Sequence, residues 1–194
     1  MGLSLAVPGH DRWHPEIPGV AEVITGGSVR LECEGRGFDG EPVLCGPLVV
    51  VGAEPGDVIV VDVLAVGRAD GIYSPGGHPG VIGCAPAEGR PGDGGGLLGR
   101  VTPMDSEYAR IAGEAVTSLA RGREIGGCSI ARLTAGSRIL LPVHVRGVKL
   151  SVGDLHFGTC GEAVPGWIDL RVNLTRQGVE RFRVTGPMLM PDPG

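Results

Sequence analysis

The 194-residue sequence has no CxxC pair, no run of lysines and arginines, no apolar stretch of transmembrane length and no phosphate-binding glycine loop. Each absence removes a class of function. The five cysteines (Cys33, Cys45, Cys84, Cys128 and Cys160) are odd in number and widely spaced. That pattern excludes a disulfide framework or a cysteine-rich zinc knuckle and suits small buried thiols in a reducing compartment. A formal net charge of −5 with no basic strip argues against nucleic acid and anionic membranes as partners, because phosphate binding needs a basic surface. The opening residues MGLSLAVPGHDRW carry no basic leader, and Pro8 arrives too early for a signal-peptide core. Ala6 stands where a myristoylation pattern wants Ser or Thr, so the expected compartment is the cytoplasm. The Gly-rich stretch AEGRPGDGGGLLGR (87–100) lacks the lysine and Ser/Thr of a P-loop and reads as a flexible connection. No GxSxG elbow occurs.

What the chain does have is punctuation: 36 Gly and 16 Pro, too dense for a helical protein and suited to many short strands joined by tight turns. Hydrophobic content of 42% against 20% charged residues argues for a folded core. The expectation is one mainly β domain over 1–194, with layered sandwich- or barrel-like sheets, a Gly-rich loop and one short amphipathic helix at 87–122. TGGSVRLECEG (25–35), EPGDVIVVDVLAVG (54–67) and TAGSRILLPVHVRG (134–147) each start with a Gly-containing polar turn that launches a β-branched run. The second run is apolar on both faces and belongs in the centre of a sheet. Pro142 assigns the third to an edge or a bulge. Ile168, Leu170, Val172 and Leu174 alternate with polar residues, and Gly178 with Val179 to Val184 predicts the returning strand of a hairpin. Tyr108, Ile111, Ala112, Ala115, Val116 and Leu119 form one helical stripe, capped by Asp105 or Ser106 and ended by Gly122.

Chemistry concentrates in a few places. In VKLSVGDLHF (148–157), Val148, Leu150 and Val152 alternate as an inward face. If the register holds, Asp154 and His156 are the next inward residues, about 6.6 Å apart along the strand. A carboxylate and an imidazole on one face can converge on one ion or water, and together they suit Zn²⁺ given a third ligand. The plainer alternative is a turn aspartate beside a hydrogen-bonded core histidine. In GHDRWHPEIPGV (9–20), His10 and His14 share a face if the segment is extended. Those histidines are ligands, or else the segment is a strap along a sheet edge anchored by Trp13. His78 sits in a Gly/Pro turn before Val81-Ile82, and His144 reads as structural. Cys84 and Cys160 are weak candidates for a nucleophilic thiol, which needs a base or a helix N-terminus beside it.

Five blocks in order resemble the acetamidase/formamidase family: GHDRWHPEIPGV, GPLVVVGAEPGDVIVVDVL, HPGVIGCAP, REIGGCSIARLTAGSRILLPVHVRGVKLSVGDLHF and CGEAVPGWIDLRV. The formamidases are the nearest in flavour. The resemblance implies a mainly β homo-oligomer that hydrolyses short linear amides to a carboxylate and ammonia, commonly with a divalent metal. His10 and Trp13 match the family's H-x-x-W start, His78 its HPG block, and Asp154 with His156 its GD-x-H. Arg123, Glu124, Gly126 and Gly127 match the segment before its third large strand block. On this basis Zn²⁺ is expected on His10, Asp154 and His156. Asp154, Glu162 and Glu124 are the expected catalytic groups, with Trp13 and His78 against the substrate. The sequence departs from the family in three places. The acidic Q-G-D-G-E stretch after GDLHF is missing, Cys128 and Ser129 fall at the G-G-N-x-D positions, and the His before the GP block is replaced around Pro42. These losses leave a second reading open, a shortened non-catalytic scaffold that binds a small molecule or another subunit.

Overall fold

The computed structural model describes residues 8–37, 40–119, 133–158 and 163–190. Its strands are β1 (Arg12–Trp13), β2 (Ala21–Val23), β3 (Gly27–Cys33), β4 (Leu44–Val50), β5 (Val58–Arg68), β6 (His78–Cys84), β7 (Val116–Thr117), β8 (Arg138–Pro142), β9 (Val148–His156), β10 (Gly166–Thr175) and β11 (Met188–Met190). Two short helices, α1 (Tyr108–Gly113) and α2 (Gly178–Phe182), complete the described elements. The strands form a five-stranded sheet in the order β11-β8-β5-β10-β3, a four-stranded sheet in the order β2-β4-β9-β6 and the small pair β1-β7.

The two larger sheets pack face to face, as the mainly β layered expectation requires. One core cluster joins Leu31, Ile59, Val61, Ile139, Ile168 and Leu170 of the first sheet to Leu48, Ile82, Val148, Leu150 and Val152 of the second. On β3 and β10 these side chains alternate with polar neighbours, whereas β4, β5 and β6 are apolar on both faces. β5 is central, flanked by β8 and β10 as its two-faced apolar pattern predicts. β8 is interior too, and its register with β5 runs without a shift, which corrects the edge-or-bulge expectation made from Pro142. β11 pairs only with 138–140 and Pro142 is the last strand residue, so its missing N–H faces no neighbouring strand on that side.

Two further expectations change. The residues after β10 do not return as a hairpin strand but coil into α2, between Gln177 and Arg183 in left-handed conformation. Both edges of β10 are already paired, with β3 on one side and β5 on the other, so no slot exists for a returning strand. The helical stripe predicted through Leu119 ends at Gly113, because Val116 and Thr117 pair instead with Trp13 and Arg12. The predicted stop at Gly122 lies outside the described residues.

The N-terminal segment forms a third layer over the outer face of the four-stranded sheet. Trp13 packs there with Leu44 and Val81. Lys149 Nζ donates to the carbonyls of Pro15 and Ile17, and burial lowers its pKa. The Gly-rich loop is pinned to this layer rather than loose. Asp11 exchanges hydrogen bonds with the backbone of Leu97, the Tyr108 hydroxyl donates to the Gly96 carbonyl at 2.6 Å, and Leu98 is buried.

The GAEPGD turn before β5 is held by Asp57. Its buried carboxylate accepts the amides of Glu54 and Gln177, each at 2.9 Å, and pairs with Arg176 at 3.1 Å. Burial pushes the Asp57 pKa up, but the two amides and Arg176 outweigh it, so the carboxyl lies below its ordinary value. Asp57→Ala should destabilise the protein by about 2 kcal/mol in urea unfolding, because it strips the partner from two amides and a guanidinium at once. An unchanged midpoint would mean that water replaces the carboxylate without cost.

Candidate active site

β9 carries the residues singled out by the sequence, but its alternation reverses among them. Val148, Leu150 and Val152 face the sandwich core, and so do Leu155 and Phe157. The switch from even to odd positions occurs at Asp154, whose φ of 57° is left-handed, a region that aspartate tolerates better than most residues. The register expected for Asp154 and His156 is therefore corrected. They leave the core face, and the apolar Leu155 and Phe157 take it. Opposite Asp154 on β6 lies Gly80, between the pairs Pro79–Leu155 and Val81–Gly153. A Cβ there would stand 2.5 Å from Asp154 Oδ2 and 2.8 Å from the Asp154 carbonyl oxygen, so the close approach requires glycine.

Asp154 is buried and carries two partners. Arg36 grips it with two donors, Nε to Oδ1 at 3.0 Å and a terminal nitrogen to Oδ2 at 3.2 Å. Oδ2 also accepts from His156 Nε2 at 3.2 Å. A carboxylate only accepts, so the proton of neutral His156 sits on Nε2 and the lone pair on Nδ1. The His156 ring stacks on His78, with centroids 5.7 Å apart and planes inclined by 18°. His78 is the first residue of β6 and the cross-strand partner of His156. Its Nδ1 donates to the Pro79 carbonyl at 3.2 Å, which leaves Nε2 with the lone pair. The structure thus brings Asp154, His156 and His78 together. It adds Arg36, which lies 118 residues from Asp154 in sequence with no local motif to mark it.

His10 goes elsewhere. It is buried, its Nδ1 donates to the Arg12 carbonyl at 2.8 Å, and its Nε2 accepts from the Ser151 hydroxyl at 2.8 Å. Burial lowers its pKa from 6.5 to about 4, against the smaller opposing effect of the Arg12 carbonyl. A serine hydrogen-bonded to an oriented imidazole has the geometry of a nucleophile and its base. Both residues are sealed from solvent here, so no substrate reaches the hydroxyl, and the pair fastens the N-terminal layer to β9.

Among the described residues the ligand atoms of His10, Asp154 and His156 do not gather around one point, and Arg36 holds both Asp154 oxygens. These three residues as placed do not fit one ion. The donors that do gather, within 4.8 Å of one another, are His14, Glu16 and Glu114. They offer one imidazole and two carboxylates, a set suited to a divalent cation. Arg110 already pairs with both glutamates, and His14 Nε2 lies 3.2 Å from Glu114.

The remaining candidates separate cleanly. Trp13 is buried with its indole N–H lacking a hydrogen-bond partner among the described residues. It packs on Val81, the neighbour of Gly80. Cys84 is buried in the sandwich core, burial pushes the Cys45 thiol up to about 11, and Cys33 is raised likewise, so these thiols are not poised as nucleophiles. Glu124, Glu162 and Cys160 lie outside the described residues, as do Arg123, Gly126, Gly127 and Cys128. An open depression of about 580 Å³ beside Ile72, Tyr73 and Trp167 reaches Gly77 but is lined by no His, Asp or Glu. The chemistry therefore places the site at Asp154, His156 and His78, and His78 is the residue that follows Gly77 at that depression's rim. No helix among the described residues is long and apolar enough to cross a membrane.

Known proteins share both the sequence and the fold. The chain is 30% identical over 280 residues to a formamidase of Methylophilus methylotrophus, covering 95% of this chain and 68% of the relative. It is 29% identical over 288 residues to an acetamidase of Mycolicibacterium smegmatis, covering 96% and 71%. Because 95% of 194 residues is about 184, about a third of the 280 aligned positions have no counterpart in this chain. The shortening is thus largely internal. Among solved structures, a γ-lactamase from Delftia acidovorans superposes with a TM-score of 0.83 at 25% identity, covering 95% of this chain and 68% of the other. The model of the Acetamidase/Formamidase family matches residues 90–194, more than half of the chain. The chain belongs to the acetamidase/formamidase family.

Proposed function

We propose that this protein hydrolyses the C–N bond of short linear amides such as formamide and acetamide, releasing a carboxylate and ammonia at the Asp154–His156 site. The observation that carries the reading is the hydrogen bond from His156 Nε2 to Asp154 Oδ2, which leaves Nδ1 free as a base on a half-buried ring. His156 Nδ1 takes a proton from water as the oxygen attacks the amide carbonyl carbon. The tetrahedral intermediate then collapses, the proton passes to the departing nitrogen, and the C–N bond breaks. His78, stacked on His156, borders the same space. The indole N–H of Trp13, without a partner among the described residues, is a buried donor that a carbonyl oxygen would satisfy, and such a group is expensive to leave alone. Glu124 and Glu162 stand as proposed proton shuttles. A divalent ion, Zn²⁺ by donor type, would be held by His14, Glu16 and Glu114, a cluster that includes neither Asp154 nor His156, and would supply Lewis-acid polarisation there. The reading includes a cytoplasmic homo-oligomer.

The test is ammonia release from formamide, acetamide and propionamide by the purified protein, with and without added Zn²⁺. A saturable rate is expected, highest on the shortest amides. Background release from all three by folded protein would overturn the reading in favour of a scaffold that has kept the family's sheets without its reaction.

A further inference from the structure

We infer that Arg36 is a positioning residue for this site, a built-in cation that holds the Asp154 carboxylate so that Oδ2 receives the His156 Nε2 proton. The inference rests on the amidase reading and deepens it. Its basis is the sharing of one oxygen: Arg36 and His156 both donate to Asp154 Oδ2, each at 3.2 Å, while Arg36 Nε holds Oδ1 at 3.0 Å. A guanidinium held through two parallel donors fixes the carboxylate plane as well as its position, which a single point charge does not. With Oδ1 committed to Arg36, Oδ2 is the oxygen turned to the imidazole. The tautomer of His156, and so the placement of its lone pair on Nδ1, follows from that orientation.

Arg36 is itself held in place. Its third nitrogen donates to the Gly40 carbonyl at 3.2 Å, its backbone bridges to Pro42, and the Gly37 amide bonds the Glu41 carbonyl. These bonds to Gly40, Pro42 and Glu41 present the guanidinium to β9. The arrangement also accounts for the failure of Asp154 and His156 to gather with His10 as metal ligands. The position beside the carboxylate is filled by a side chain of the protein.

Exposure makes the idea testable. The Arg36 side chain is 43% exposed and the Asp154 side chain 5%, so a small cation from solvent can enter where Arg36 is trimmed. Arg36→Ala should lower kcat on formamide at least tenfold with a smaller change in KM, and Arg36→Lys should recover only part of the loss. Free guanidinium chloride at millimolar concentration, well below denaturing levels, should restore the Arg36→Ala rate in a saturable way. In parallel, ¹⁵N spectra of the His156 ring should show the Nε2–H tautomer in the unsubstituted protein and a tautomer mixture in Arg36→Ala. An Arg36→Ala protein with full rate and an unchanged tautomer would overturn the inference. So would rescue by Zn²⁺ with none by guanidinium, since Asp154 would then be a metal ligand. If the unsubstituted protein releases no ammonia, the amidase reading fails. The tautomer comparison then decides the role of Arg36 by itself.

Discussion

Lowering the pH from 6.5 to 4 should cost the folded protein about 3 kcal/mol through His10 alone. The imidazole is buried between the Arg12 carbonyl and the Ser151 hydroxyl, and burial takes its pKa from 6.5 to about 4. The sign follows from proton counting. Between those two values the unfolded chain binds a proton that the folded protein refuses, so acid favours unfolding. The contribution is complete above pH 6.5, shrinks steadily to about pH 4 and is constant below. Carboxylates whose pKa values are lowered by partners, Asp57 and Glu16 among them, lose their contributions only below their unfolded values of 3.8 and 4.5. The His10 window therefore lies above theirs. Urea unfolding at half-unit steps from pH 7.5 to 4.5 should show the loss, and His10→Gln should flatten it even though that variant starts less stable. An equal slope in both proteins would mean that His10 takes up its proton alike in the folded and unfolded states.

Most of the sandwich is legible in the sequence because its physics is local. Val58 to Val63 form a strand and sit centrally, since an apolar run with both faces buried has no other stable place. Ile168, Leu170 and Val172 face the core as their alternation demands. Where prediction fails, a distant partner decides. Val179 to Val184 read as a returning strand until β3 and β5 are seen to occupy both edges of β10. Val116 fits a helical stripe until Trp13 recruits it, with Thr117 beside it on Arg12, across about a hundred residues. Neither competition can be seen in a local window.

The site divides the same way. Asp154 and His156 stand out because polar groups interrupt an apolar alternation, and the structure pairs them. The side they face could not be read, because one left-handed residue at Asp154 reverses the pleat for Leu155 and Phe157. Ser151 sits at a position that looks merely outward, and only the path of the N-terminal layer makes it a partner of His10. Arg36 has no periodic, motif or charge signal at all. It lies just after β3 in a bridge to Pro42, and its meaning comes entirely from a carboxylate on another strand.

Replacing Gly80 by alanine should reduce amide hydrolysis about a hundredfold without unfolding the protein, nearly as much as removing the carboxylate in Asp154→Ala. The added methyl would sit 2.5 Å from Asp154 Oδ2 and 2.8 Å from the Asp154 carbonyl oxygen. Neither oxygen can yield cheaply. The first is held by Arg36 and His156, and the second belongs to the backbone of a paired strand. The strain is relieved most easily by turning the carboxylate, which swings Oδ2 away from His156 Nε2 and frees the ring. Misplacement of a reacting group by a fraction of an ångström to an ångström costs rate on the order of a hundredfold. Gly113→Ala is the matched control: it adds the same methyl at the end of α1, where nothing lies within 4 Å, and should leave the rate unchanged. Circular dichroism and the urea midpoint separate a lost site from a lost fold. If Gly80→Ala keeps full activity on formamide while Asp154→Ala is inactive, the carboxylate acts from a different orientation and its bond to His156 does not organise the chemistry. If both are fully active, the reaction takes place elsewhere on the molecule.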